Sequence, residues 1–132
     1  MINFSELKIG DIIEVEYDGK KSEGEVIDLD HEDKEVSVQT EVQDFWYTPD
    51  QLYAIPISDK QLLEFGFERV DNEDGTVKYK KDAFRILLSK KDDFSDFEMW
   101  YREDRRHMTH PIGMHELQNH YLQMTKIHLD KD

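Results

Sequence analysis

The chain is 132 residues long, with 17 basic and 31 acidic side chains and a net charge of −14. Cysteine is absent, so disulfides, thiolate zinc sites and thiol catalysis are excluded within it. Aromatic residues make up 11%, more than a disordered chain of this charge carries. No stretch approaches the ~20 apolar residues of a membrane span. Met1-Ile2-Asn3-Phe4-Ser5-Glu6 lacks the basic-then-apolar pattern of a leader. The expectation is a folded, cytoplasmic protein that does not engage membranes. Residues 1–57 hold 15 acidic and 4 basic side chains, whereas 58–132 hold 16 and 13. That asymmetry predicts two units, and a field that repels nucleic acid and anionic lipid.

The first unit, residues 1–56, reads as short strands. Ile13, Val15 and Tyr17 alternate with Ile12, Glu14 and Glu16, and Asp18-Gly19 is a hairpin signal. A second strand covers Gly24 to Leu29, and a third contains Val36, Val38 and Thr40. Phe45-Trp46-Tyr47 suits a fourth, because aromatic residues fit a pleated, half-buried surface. Pro49 to Leu52 reads as a tight turn. Tyr53 to Ile57 reads as a last short strand, with Pro56 restricting it to an edge. Five short strands in this length predict an SH3-like small β-barrel.

The second unit, residues 57–132, opens on a helix. Ser58 is a good N-cap, Gln61 completes a capping box, and Gly66 is placed to end the helix. Strands follow at Phe67–Val70, Thr76–Lys80, Ala83–Ser89 and around Phe97, Met99 and Tyr101. A final helix runs from about Met114 to Met124. Met114, Leu117, Tyr121 and Met124 share its apolar stripe, while His115, Glu116, Asn119 and Gln123 lie on the far side. The fold expectation is α+β: the SH3-like barrel packed on an antiparallel sheet with two helices.

No motif rises to a catalytic signature. His115-Glu116-Leu117-Gln118-Asn119-His120 nearly matches the zinc-protease helix, but Asn119 stands where the second histidine is needed. His115 and His120 are five apart, about 140° round the helix. The histidines of this C-terminal segment, His107, His110, His115 and His120, are read as surface residues. Asp28-x-Asp30-x-Glu32 starts like a calcium loop, but Asp33 and Gln39 occupy the sixth and twelfth positions, so it is read as a solvated turn. Glu103-Asp104 beside His107 is the best acid/base cluster and stays a charged loop. No catalytic residue, cofactor or metal is expected.

Two features could serve binding. Phe45-Trp46-Tyr47 could present an aromatic platform for a peptide, although alternation turns part of the triplet inward. A basic set comprises Lys78, Lys80, Lys81, Arg85, Lys90 and Lys91 with Arg102, Arg105 and Arg106. Lys78 and Lys80 alternate with Val77 and Tyr79 and could share a sheet face; offsetting the acidic unit is the plainer role of the set.

Ile55-Pro56-Ile57-Ser58 runs into Leu62-Leu63-Glu64-Phe65-Gly66-Phe67, and the chain closes on His115-Glu116-Leu117-Gln118-Asn119-His120-Tyr121 with Thr125 beyond. Over residues 50–129 this resembles small proteins encoded by Bacteroidetes and their phages or prophages. Those proteins join through Leu-Leu-x-x-Gly-Phe and end on a His-x-Leu-Gln-Asn helix. This chain departs from the pattern at His120 and Gln123. The resemblance implies a bacterial or phage origin and no chemistry. In the final helix, Gln118 borders the core stripe and is read first as a structural clamp, second as a partner contact.

The resulting expectation is a non-enzymatic protein–protein interaction module. Trp46, Tyr47, Trp100, Gln118 and Asn119 are its candidate binding residues. The alternative is an acidic inhibitor that mimics nucleic acid to occupy a nucleic-acid-binding protein. Neither reading has the chain bind nucleic acid directly.

Overall fold

The computed structural model describes residues 1–131. Over these residues the fold is α+β, with two five-stranded antiparallel sheets and two α-helices. It divides into two units: residues 1–55 with 113–116, and residues 56–112 with the remainder from Leu117.

The first unit holds β1 (Ile12–Tyr17), β2 (Lys20–Asp30), β3 (Glu35–Gln39), β4 (Asp44–Tyr47) and β5 (Leu52–Tyr53). Their order is β4-β3-β2-β1-β5. Asp18 and Gly19 both take positive φ, 53° and 76°, the twist that a two-residue hairpin turn requires. One face of the sheet is the core. Ile13, Val15, Val26, Val36, Val38 and Leu52 are buried there with Ile2 and Leu7. A register shift between Val26 and Asp28 bends β2. The sheet curls strongly, since Tyr17 of β1 meets Phe45 of β4 edge-on at 5.4 Å although β2 and β3 lie between those strands. Among the described residues no ladder joins β4 to β5, so the sheet is open.

The last expected strand is shorter than the sequence implies. It ends at Tyr53, and Pro49–Gln51 forms a 3₁₀ turn with a reciprocal capping box between Thr48 and Gln51. The run 55–57 bonds singly instead: Met114 N–H donates to the Ile55 carbonyl (2.7 Å), and Ile57 N–H to the Ile112 carbonyl (3.1 Å).

The second unit holds α1 (Asp59–Glu64), β6 (Glu68–Asp71), β7 (Val77–Lys81), β8 (Phe84–Leu88), β9 (Phe97–Tyr101) and β10 (Asp104–Met108). Helix α2 (Met114–Thr125) follows, and the sheet order is β10-β9-β8-β7-β6. Ser58 Oγ accepts the Gln61 N–H at 3.2 Å. The expected reciprocal arm is not made, because Gln61 Oε1 is buried without a hydrogen-bond partner. Gly66 takes φ 87° and lets the helix end as expected. Phe84, Ile86, Leu88, Phe97 and Met99 are buried on one face of the sheet, and Met114, Leu117, Tyr121 and Met124 of α2 are buried as the periodicity predicts. Tyr79, also buried, donates its hydroxyl to Asp59 (2.6 Å), which Arg69 reaches as well (2.9 Å).

Two expectations are corrected here. The segment around Glu103, Asp104 and His107 is not a loop: Asp104–Met108 is an edge strand paired with β9. His115 is not a surface residue. It is buried at 1% exposure, with Nε2 3.2 Å from Glu6. The first turn of α2 groups with the first unit, so this end of the helix is buried on more than its apolar stripe.

Candidate interaction surfaces

The structure divides the Phe45-Trp46-Tyr47 triplet by the pleat of β4. Tyr47, opposite Val36, points into the core and is 2% exposed. Its candidacy as a binding residue is therefore overturned. Phe45 shares that face, but at the mouth of the curl. It stays 41% exposed, with its ring against Tyr17 (5.4 Å) and Tyr47 (5.9 Å). Trp46, opposite Ser37 on the other face, is 47% exposed. Since β4 is an edge strand, it carries exposed rings on both faces beside a main chain with one unladdered side.

The outer face of the same sheet is acidic. Pairs across a ladder share a side, so Glu14 faces Glu23, and Glu25 and Asp44 both flank Gln39. Glu16 lies beside Lys21, and Asp28 beside Ser37. Six carboxylates thus occupy one pleated surface.

The outer face of the second sheet has the opposite character. Register places Arg105, Trp100, Arg85 and Lys80 in one line across β10, β9, β8 and β7. Both guanidinium groups lie over the Trp100 ring, at 5.8 Å for Arg85 and 5.2 Å for Arg105. Trp100 Nε1 donates to Glu98 at 2.7 Å. Lys78 and Leu87 form the neighbouring row. Cation–π contact of this kind draws the guanidinium groups over the ring face. The sequence showed Trp100 and the basic set separately; only strand register joins them.

The remaining sequence candidates separate clearly. Gln118 is fully buried and its amide donates to the Leu129 carbonyl at 2.9 Å. That is the clamp, and it removes Gln118 as a partner contact. Asn119 is half-exposed. His120 pairs with Arg106 (2.8 Å) and His107 with Asp96 (2.7 Å). Among the described residues no histidine joins a cluster of three metal-ligating side chains. Asp30, Asp33 and Glu35 do come together, but Asp30 Oδ1 already accepts the Glu32 and Asp33 N–H groups, as a solvated turn does. In β10, Asp104 and His107 point to opposite faces, so these two do not form the expected cluster.

The perturbed ionisations are structural. The Tyr79 hydroxyl, with Arg69, holds the Asp59 carboxyl below the usual range. Burial pushes the Asp11 carboxyl up, against hydrogen bonds from Lys8. A shallow cavity of about 310 Å³ lies beside Leu87, Ser89, Asp96 and Glu98. No helix among the described residues is long and apolar enough to cross a membrane. No protein family, curated protein or solved structure matches the chain.

Proposed function

We propose that the protein is a non-enzymatic, cytoplasmic interaction module of bacterial, phage or prophage origin that takes a protein partner along β4. The observation that carries this reading is an edge strand bearing exposed Phe45 and Trp46 on its two faces. An extended segment added to such an edge gains main-chain hydrogen bonds, and aromatic anchors on either side supply affinity at low entropic cost. The Tyr17–Phe45 contact across the curl supports the finer description of the N-terminal sheet as SH3-like. The test is affinity capture from lysate of the source cells at low and high salt, using wild type and Trp46→Ala. Trp46→Ala is expected to leave circular dichroism and melting nearly unchanged while partner recovery falls. Recovery that survives Trp46→Ala and Phe45→Ala together refutes the reading.

The acidic outer face of the first sheet favours a second reading, charge mimicry of nucleic acid. Under it, capture is confined to nucleic-acid-binding proteins and is lost at high salt.

A further inference from the structure

We propose that the basic outer face of the second sheet is a docking surface for the acidic outer face of the first sheet of a second copy of this chain. Lys80, Arg85, Trp100 and Arg105 stand in one line across β7, β8, β9 and β10. Neighbouring strands lie ~4.8 Å apart, so these cations span about 14 Å in one row. The two arginines rest against the Trp100 ring, which fixes their direction before any partner arrives and lowers the ordering cost of binding.

The matching surface is on the same chain. Glu14 and Glu23 sit directly opposite on β1 and β2, Glu25 lies two residues along, and Asp28 and Asp44 continue the field across β2, β3 and β4. Both faces present charges on antiparallel strands ~4.8 Å apart, and their opposite sign makes them complementary. Every copy carries both halves of the contact, at equal concentration.

The observations disfavour a nucleic-acid strand as occupant. A base stacking on Trp100 would need the space that Arg85 and Arg105 fill. Glu68 and Glu98 interrupt the basic face; this suits a patterned protein surface better than a continuous run of phosphates.

A five-stranded face covers about 350 Å², so a contact of two buries roughly 700 Å², below the ~1,200 Å² of a stable interface. The association is therefore weak and salt-sensitive. It is also heterologous: different surfaces meet, so the assembly either closes into a ring or runs on. Screening at moderate salt limits the repulsion between two chains of net −14 to charges within about a Debye length of the contact.

The experiment is sedimentation equilibrium of the full chain over a rising concentration series, at moderate and high salt. One variant carries Glu14→Lys, Glu23→Lys and Glu25→Lys; the other carries Lys80→Glu, Arg85→Glu and Arg105→Glu. Circular dichroism establishes that both fold, and if a triple set does not, Glu23→Lys with Glu25→Lys and Arg105→Glu alone replace them. Wild type is expected to gain mass with concentration and to weaken by at least about tenfold in high salt. Each variant alone is expected to stay monomeric, and an equal mixture to associate again, because each supplies the sign the other lacks. Wild type that is monomeric throughout overturns the proposal. So does association that survives either set of reversals, or a mixture that fails to restore it. Neither variant alters Phe45 or Trp46, so failure here leaves the β4 reading standing, and Trp46-dependent capture tests that reading separately.

Discussion

Replacing Gln118 by Met is the most informative single change to the fold. It keeps the length and volume of the side chain and deletes the amide that donates to the Leu129 carbonyl at 2.9 Å. Leu129 is itself 2% exposed, so water does not readily take over the bond. A net hydrogen bond contributes about 1 kcal/mol, and leaving a buried acceptor unsatisfied costs about 1–3 kcal/mol. The expected loss is about 2 kcal/mol, or roughly 6–10 °C in melting temperature at this chain length. Gln118→Ala is expected to cost about 1–2 kcal/mol more, because a cavity opens in a site with no exposure. Urea unfolding gives the free energy, and amide exchange over residues 126–131 shows whether the tail is released. If Gln118→Met leaves both the unfolding midpoint and that exchange at wild-type values, the clamp reasoning is wrong.

Gly24→Ala is expected to destabilise by about 1–3 kcal/mol in a thermal melt, because its Cβ would stand 2.6 Å from Val38 Cγ1 and 2.8 Å from the Gln39 carbonyl. Met99→Ala, at a fully buried position on β9, is expected to cost about 2–5 kcal/mol by urea titration. Asp59 ionises more readily in the folded chain than in the unfolded one. Its contribution is therefore complete above the ordinary value of 3.8 and fades as pH falls through the lower folded value. Tyr79→Phe removes the largest cause, so the acid limb of a stability–pH curve is expected to flatten; an unchanged limb contradicts the assignment.

The periodicity of the chain carried most of the architecture. Strand β1 has the predicted bounds, and the α2 stripe is buried as its apolar spacing implies. Strand β10 was illegible because Asp104-Arg105-Arg106-His107 has no apolar alternation; its strand state comes from pairing with β9. The burial of His115 escapes sequence periodicity for a related reason. A helical wheel assumes one buried face, whereas this turn of α2 also lies against Glu6 and Gly113. For the candidate surfaces, the sequence located Trp46 and Trp100 but not their settings. Which of Phe45, Trp46 and Tyr47 turns inward depends on the register of β4 against β3. The basic row around Trp100 depends on three ladders that join Lys80 to Arg85, Arg85 to Trp100 and Trp100 to Arg105.

The free edges of the two sheets differ in a way that bears on self-templated aggregation. Charges stud both edges of the second sheet, Glu68-Arg69-Val70-Asp71 on β6 and Asp104-Arg105-Arg106-His107 on β10. Like chains cannot easily stack there, because each charge would be repeated at every ~4.8 Å step. Strand β4 lacks that protection along Phe45-Trp46-Tyr47. Its safeguard is brevity: Asp44 precedes the rings, and Pro49 follows after Thr48. A fibril-forming stretch needs about six residues with low charge and no proline. The rings of β4 therefore remain available for recognition, while the residues bracketing them keep the exposed run too short to seed a cross-β core.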